Sequence, residues 1–195
     1  MNESETRAEH IDPVLKAAGW GVAEGSRVLR EHGITLGRSQ GGGKRARPEI
    51  ADYVLVYRNT RLAVIEAKAW DKPHTEGVGQ AKSYAAKLSV RYAYATNGQA
   101  IYGIDMTTGA ERDVACYPSP DELWKLTFAE VNAWRDRFAA VPFEDKGSTW
   151  QGRYYQDTAI TRVLDAIAAG RDRILLTLAT ARRFVRVSAQ WPLLF

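Results

Sequence analysis

The chain has 195 residues, of which 45% are hydrophobic and 26% charged, and a formal net charge of +4, so it is not disordered throughout and can form one domain with a sizeable core and a short appendage. Its single cysteine, Cys116, excludes an internal disulfide and a cysteine-ligated metal cluster. The polar N-terminus does not resemble a signal peptide and no run of about 18 apolar residues occurs, so we expect a cytoplasmic protein that does not contact a membrane.

An amphipathic helix is predicted over residues 4–18, because Ile11, Leu15 and Ala18 follow helical spacing. Pro13 predicts that this helix is kinked or divided into two pieces. Residues 37–48 hold four glycines, four basic residues and a proline, which predicts a flexible basic loop.

Basic residues concentrate around that loop. From residue 27 to residue 61 there are eight arginines and lysines against three acidic residues. Such a segment favours an anionic partner, although a solvated basic face is an alternative interpretation.

A β-hairpin is predicted next, from residues 51–57 and 62–70, with the polar turn 58–61 between them. Both strands are apolar on both faces, which indicates a sheet that is covered on both sides. Residues 77–88 predict a helix.

The second half of the chain continues the alternation of strands and helices. Residues 92–96 and 100–104 predict two strands around a tight turn at Asn97-Gly98. Further helices are predicted over residues 121–140 and 153–170. A linker (142–149) would separate these two helical regions, and a buried strand (173–179) would follow them. The order of elements predicts an α/β or α+β fold with a mixed sheet flanked by helices.

The hairpin carries the candidate site. Side chains alternate along a strand, so Glu66 and Lys68 are expected to share one face. If Tyr57 lies opposite Arg61, then Asp52 lies opposite Glu66. Two carboxylates and an ammonium would then converge, and burying them is costly unless they pair or bind a ligand.

A divalent cation is the ligand that suits two carboxylates. Mg²⁺ binds to one or two carboxylates, together with waters and phosphate oxygens. It can polarise a phosphate and lower the pKa of an attacking water, while Lys68 neutralises negative charge or positions that water. The alternative is an ordinary ion pair between Glu66 and Lys68 at the end of a strand.

These residues resemble a known nuclease signature. Asp52 with Glu66-Ala67-Lys68 is similar to the PD-(D/E)xK motif, with Ala51 at the position before the aspartate. Gln80 and Tyr84, four residues apart on one helical face, resemble the QxxxY motif of restriction R subunits and RecB-like nucleases.

Two further segments extend the likeness. The opening stretch ETRAEHIDPVLKAAGW and the later Thr96-Asn97-Gly98 resemble the first helix and a strand-turn of the same family. The chain therefore resembles the N-terminal nuclease domain of the R (HsdR) subunit of type I restriction enzymes. This implies a restriction-endonuclease-like core over residues 1–145, with Mg²⁺, for which Mn²⁺ could substitute, bound by Asp52, Glu66 and Ala67.

The resemblance also implies roles for residues outside the hairpin. Gln80 and Tyr84 would position the DNA backbone or support the metal ligands, although Tyr84 could simply be a core tyrosine. The family's first helix carries an extra acidic residue near the site, for which Glu5 is the candidate and Glu3 and Glu9 are rivals. The alternative for Glu5 is a carboxylate favoured by the start of a helix.

The implied function is magnesium-dependent endonuclease cleavage of double-stranded DNA without sequence specificity of its own. Lys44, Arg45 and Arg47 of the basic loop would bind phosphates. The partners would be the methyltransferase and specificity subunits of a restriction complex.

Residues 146–195 would be a linker and the start of a superfamily 2 helicase motor. In that family a strand leads into a glycine-rich P-loop, but no glycine follows Gly170 here. We therefore expect a motor truncated before its P-loop and no ATP site in this chain.

Two alternatives stay open at this point. One is a catalytically idle DNA-binding or assembly module left by truncation of the motor subunit. The other is an α/β protein of unrelated function with a coincidental ExK tripeptide, which predicts that Asp52 and Glu66 point to different places.

Overall fold

The computed structural model describes residues 1–35, 49–128, 135–137, 154–171 and 173–175. The strands are β1 (Ser26–Thr35), β2 (Glu49–Tyr57), β3 (Thr60–Ala67), β4 (Tyr92–Thr96), β5 (Ile101–Asp105) and β6 (Glu111–Val114). The helices are α1 (Glu3–Thr6), α2 (Asp12–Ala17), α3 (Val78–Leu88), α4 (Pro120–Thr127) and α5 (Tyr154–Ala168), with a π-helical turn (Arg7–Ile11) between α1 and α2.

The strands form one mixed sheet in the order β1-β2-β3-β4-β5-β6. Only β3 and β4 run parallel among the described strands, because α3 carries the chain back between them. The other neighbouring strands are antiparallel. This architecture confirms the predicted mixed sheet flanked by helices.

Apolar clusters cover both faces of the sheet, as the two-sided hydrophobic strands predicted. On one face, side chains of the N-terminal helices and of α4, including Leu15 and Leu123, pack against Tyr53 and Ile65. On the other face, Ala81, Ala85 and Leu88 of α3 pack against apolar residues of the sheet. The central strands are therefore buried on both sides.

The N-terminal helix is divided as Pro13 predicted. The amide of Asp12 donates to the carbonyl of Arg7, five residues earlier rather than four, so the helix contains one extra residue in the turn before α2. Pro13 lies in the first turn of α2, where the α-helix resumes after the π-helical turn.

The β2–β3 hairpin forms, but its turn is shorter than predicted. Tyr57 pairs with Thr60 rather than with Arg61, so the turn is the dipeptide Arg58-Asn59. Both turn residues have positive φ, 48° and 59°, as a tight two-residue hairpin requires. The register then shifts by one residue between Leu55 and Val56, because their partners on β3, Ala63 and Arg61, are separated by the extra residue Leu62.

Two strands were missed, whereas two helices, α3 and α5, were found as predicted. The sequence did not predict β1 or β6, whereas α5 confirms a helix within residues 153–170. Part of the predicted 121–140 helix is present as α4, and residues 135–137 are also helical. Residues 173–175 are in no strand, and Leu175 is 92% exposed, so this part of the predicted buried strand is wrong.

The remainder of that strand and the predicted linker (142–149) lie outside the described residues, and the predicted domain boundary at residue 145 stays a prediction. In the part of the chain that the structure describes, no helix is both long and apolar enough to cross a membrane.

Candidate active site

The candidate site lies beside the N-terminal helices, near the beginning of β2 and the end of the antiparallel β3. Tyr53 pairs with Ile65, so Asp52 comes next in line across from Glu66. The side chain of Asp52 bridges the two strands, because its Oδ2 accepts a hydrogen bond from the amide of Ala67 at 2.8 Å. The structure thus places Asp52 at the position that the hairpin predicted.

Glu66 and Lys68 share one face of β3, as expected from strand alternation. Lys68 Nζ donates to Glu66 Oε1 at 2.9 Å, and the backbone amide of Lys68 donates to the carbonyl of Thr96 at 2.8 Å. Glu66 is only 5% exposed. Its second oxygen, Oε2, is buried and has no hydrogen-bond partner among the described residues.

Burial and mutual repulsion disfavour the ionised carboxylates. Burial, and after it the charge of Asp52, raises the pKa of Glu66 to about 7, although Lys68 opposes the shift. Burial also raises the pKa of Asp52, against the amide of Ala67 and the charges of Arg7 and Lys68. Keeping both carboxylates ionised in the folded state therefore costs free energy.

For Lys68 the surroundings favour the charged form, unlike for the two carboxylates. Burial alone would lower the pKa of Lys68, but its hydrogen bond to Glu66 and the surrounding negative charges outweigh burial and raise it. Lys68 therefore carries its positive charge at neutral pH.

Gly77, directly before α3, packs against the site. A Cβ atom built at Gly77 would lie 2.9 Å from Glu66 Cγ and 3.5 Å from Lys68 Cε. A methyl group at this position would displace the Glu66 side chain and would touch that of Lys68. The first turn of α3 can approach the site because this position has no side chain.

Gln80 and Tyr84 lie one turn apart on α3, and the Gln80 side chain lies close enough to the Tyr84 hydroxyl to influence its pKa. Gln80 is exposed and Tyr84 is partly buried against the α3 cluster. Burial, followed by the charges of Glu66, Glu49 and Asp52, raises the pKa of the Tyr84 hydroxyl. The pair is thus within electrostatic reach of the site, and its contact with DNA stays a prediction.

Arg7 is the residue at the site that sequence reasoning missed. Its Nη1 lies 3.1 Å from Asp52 Oδ1, and its Nη2 lies 3.2 Å from Glu31 Oε1. One signal was available, since Arg7 follows Glu3 by four residues and therefore shares its helical face.

The structure favours Glu3 over Glu5 as the acidic residue of the first helix. Glu5 is exposed and closes a capping box, in which its Oε2 accepts from the amide of Asn2 at 2.8 Å. Glu3 acts electrostatically on both Glu66 and Lys68. The Glu5 carboxylate serves the start of the helix, and which acidic residue joins the site stays a prediction.

The residues present fit a magnesium-type ion. Across the described ranges no group of three or more histidine, cysteine, aspartate or glutamate side chains could hold a metal. Mg²⁺ needs only one or two carboxylates, and Glu66 Oε2 is a buried anionic oxygen without a partner. Ala67 could contribute only its backbone carbonyl. Lys44, Arg45 and Arg47 lie outside the described residues.

No family model matches the chain. The chain is 30% identical over 191 residues to the endonuclease subunit of the type I restriction enzyme EcoAI of Escherichia coli, a match that covers 92% of this chain and 24% of that protein.

Its structure is similar to a fragment assigned to an HsdR subunit of a type I restriction enzyme from Vibrio vulnificus YJ016. The TM-score is 0.71 and the identity 34%, over 92% of this chain and 35% of that one. The chain spans about a quarter to a third of the relatives it matches. Over nearly all of its length it is homologous to part of the endonuclease (HsdR) subunits of type I restriction enzymes.

Proposed function

We propose that this chain is the nuclease part of a type I restriction endonuclease subunit and hydrolyses phosphodiester bonds in double-stranded DNA with a divalent cation. The observation that carries this proposal is the buried Glu66 carboxylate, which keeps one oxygen without a partner beside Asp52 and Lys68. An anionic oxygen left unsatisfied in the interior is costly, and binding of a cation would remove that cost.

Each residue of the site has a proposed role. Asp52, Glu66 and the carbonyl of Ala67 would hold Mg²⁺ or Mn²⁺, which when bound supplies Lewis-acid polarisation of the phosphate and a more acidic water. Lys68 remains protonated and is fixed by Glu66, so its ammonium can stabilise negative charge that develops on phosphate oxygens.

Substrate positioning would come from groups around this centre. Gln80 and Tyr84 of α3 would orient the DNA backbone. Lys44, Arg45 and Arg47 would contact phosphates, which gives binding that depends on salt and not on sequence. Sequence would be read by a specificity subunit that assembles with this chain and a methyltransferase subunit.

The test is nicking of supercoiled plasmid with Mg²⁺ or Mn²⁺. The variants are Glu66→Gln and Lys68→Met, and the matched controls are Asp105→Asn and Lys82→Met. The controls make the same chemical changes in ion pairs elsewhere in the fold, with Arg91 and Glu111 respectively. We expect metal-dependent cutting that both site variants abolish and both controls retain.

Two outcomes would count against this function. If the site variants cut as well as the wild type, the chemistry lies elsewhere. If the wild type neither cuts nor binds Mn²⁺, the chain is a DNA-binding or assembly module. Saturable Mn²⁺ binding that Glu66→Gln removes, without cutting, would support the site and indicate that cutting needs the rest of the subunit.

A further inference from the structure

Arg7 connects two acidic residues on neighbouring strands. Its guanidinium contacts Asp52 Oδ1 at 3.1 Å and Glu31 Oε1 at 3.2 Å. The side chains of Arg7 and Asp52 are 17% and 13% exposed, whereas that of Glu31 is 68% exposed. Arg7 is thus shared between an inner carboxylate of the candidate site and an outer carboxylate.

Glu31 reaches Arg7 from an unusual backbone conformation. Arg30 pairs with Tyr53 and His32 pairs with Ala51, so Glu31 lies across from Asp52 in the β1–β2 ladder. Its φ is 48°, in the left-handed region that side chains rarely adopt within a strand. Such strain often concentrates at functional sites, and here it lies directly across from the candidate metal ligand.

Both oxygens of Asp52 already have donors. Oδ1 accepts from Arg7, and Oδ2 accepts from the amide of Ala67. A divalent cation bound to Asp52 would share this carboxylate with a guanidinium, and the two positive groups would repel each other at short range in a poorly solvated place. Metal binding is therefore expected to weaken the ion pair between Arg7 and Asp52.

The Arg7 side chain has space to move away from Asp52 when their ion pair weakens. A cavity of about 310 Å³ opens beside it and is lined also by Ser4, Arg30 and Glu31. Glu31 already binds the other end of the guanidinium, and Ser4 Oγ lies 3.4 Å from Nη2. Turning away from Asp52 would thus leave Arg7 with an anionic partner.

We propose that Arg7 is the counter-ion of Asp52 in the metal-free site and competes with the divalent cation for that carboxylate, while Glu31 retains Arg7 when the cation binds. This inference rests on the proposed function, because it assumes that Asp52 is a metal ligand. It assigns Arg7 as a positioning residue whose effect appears first in metal affinity.

The experiment measures the affinity of the 195-residue chain for Mn²⁺, by calorimetry and by the electron paramagnetic resonance signal of free Mn²⁺, at one pH and salt concentration. Arg7→Met removes the competitor, so we expect about tenfold tighter binding. Glu31→Gln leaves Arg7 committed to Asp52, so we expect several-fold weaker binding. A merely structural role for Arg7 predicts the opposite sign, because a loosened site binds metal less well.

General electrostatics must be separated from direct competition. Arg30→Met is the matched control, since Arg30 lines the same cavity but pairs with Asp12. We expect a change of less than about twofold for it, because its charge is more exposed and more screened. In the Arg7→Met background, Glu31→Gln should have no further effect, since Glu31 acts through Arg7. Two independent, additive effects would overturn the proposal.

The outcomes distinguish this inference from the proposed function. If the wild type binds Mn²⁺ and Glu66→Gln abolishes binding, but Arg7→Met binds equally or more weakly, only the role of Arg7 is overturned. If the wild type shows no saturable Mn²⁺ binding, both fail. If Arg7→Met does not fold, Glu31→Gln decides alone, and equal or tighter binding by that variant overturns the proposal.

Discussion

Replacing Glu66 by glutamine removes a buried negative charge while it nearly preserves the shape of the side chain. The wild-type carboxylate is 5% exposed, beside Asp52, with one oxygen that has no partner in the described structure. We predict that Glu66→Gln makes the metal-free chain more stable at pH 8, because a site built for a cation is destabilising without one.

The size of this effect follows from the pKa of Glu66. Folding raises it from 4.5 to about 7, so at pH 8 Glu66 is ionised in both the folded and unfolded states and the folded state is penalised. At about 1.4 kcal/mol for each pH unit, the penalty reaches about 3 kcal/mol at most, and we expect Glu66→Gln to recover about 1–3 kcal/mol. As the pH falls through 7 the folded state binds the proton first, so the penalty shrinks and is absent below 4.5.

The assay is urea unfolding of both proteins at pH 8 and pH 5 with a chelator, followed by a repeat with Mn²⁺ at pH 8. A Mn²⁺ concentration about 100 times the Kd should stabilise the wild type by about 2.7 kcal/mol and leave the variant unchanged. Asp105→Asn is the control of opposite sign, because its hydrogen bond to Arg91 lowers the pKa of Asp105 and its charge stabilises the fold at pH 8. A Glu66→Gln variant that is less stable than the wild type at pH 8 would refute the reasoning.

Two further predictions concern glycines near the site. Gly77→Ala places a Cβ 2.9 Å from Glu66 Cγ, so we expect at least about tenfold weaker Mn²⁺ binding. The control is Gly79→Ala, whose Cβ meets nothing within 4 Å. This variant should bind Mn²⁺ normally and gain up to about 1 kcal/mol of stability. Equal Mn²⁺ affinity of these two variants would contradict the close packing of α3 on the site. Gly98→Ala would strain a backbone with a φ of 82° and place a Cβ 2.9 Å from the Cβ of His10. Urea unfolding should therefore show that the free energy of unfolding falls by at least about 2 kcal/mol. A decrease below about 0.5 kcal/mol would be inconsistent with this contact.

The relative position of Asp52 and Glu66 was predicted from the sequence, although the predicted turn was wrong. The expected pairing of Tyr57 with Arg61 gave way to a two-residue turn that pairs Tyr57 with Thr60. The extra residue of β3, Leu62, then restored the predicted register toward Asp52. Both strands are buried on both faces along most of their length, so no hydrophobic alternation fixed this register in the sequence.

The edge strands could not be predicted from local pattern. β6 has the sequence ERDV and is mostly exposed, so it shows no hydrophobic alternation. β1 is interrupted by polar residues and by the left-handed Glu31, and it forms by pairing with the buried β2. Such strands depend on their neighbours and carry the polar residues that protect a sheet edge.

The supporting charges of the site were also beyond the reach of motif reasoning. Glu66 and Lys68 were found through their spacing along a strand, whereas Arg7 reaches Asp52 from a helix 45 residues earlier in the chain. The choice between Glu3 and Glu5 depended on which carboxylate caps the helix, and a capping box with Asn2 occupies Glu5. Tertiary geometry decides the first point, whereas the capping box is a local feature of residues 2–5.

The measurement that tests the central claim most directly is the anomalous scattering of Mn²⁺ in crystals of the wild-type chain and of Glu66→Gln. The account predicts one strong peak beside Asp52, Glu66 Oε2 and the carbonyl of Ala67 in the wild type, and no peak in the variant. Absence of a peak at these residues in crystals that hold Mn²⁺ elsewhere, or an equal peak in the variant, would contradict it.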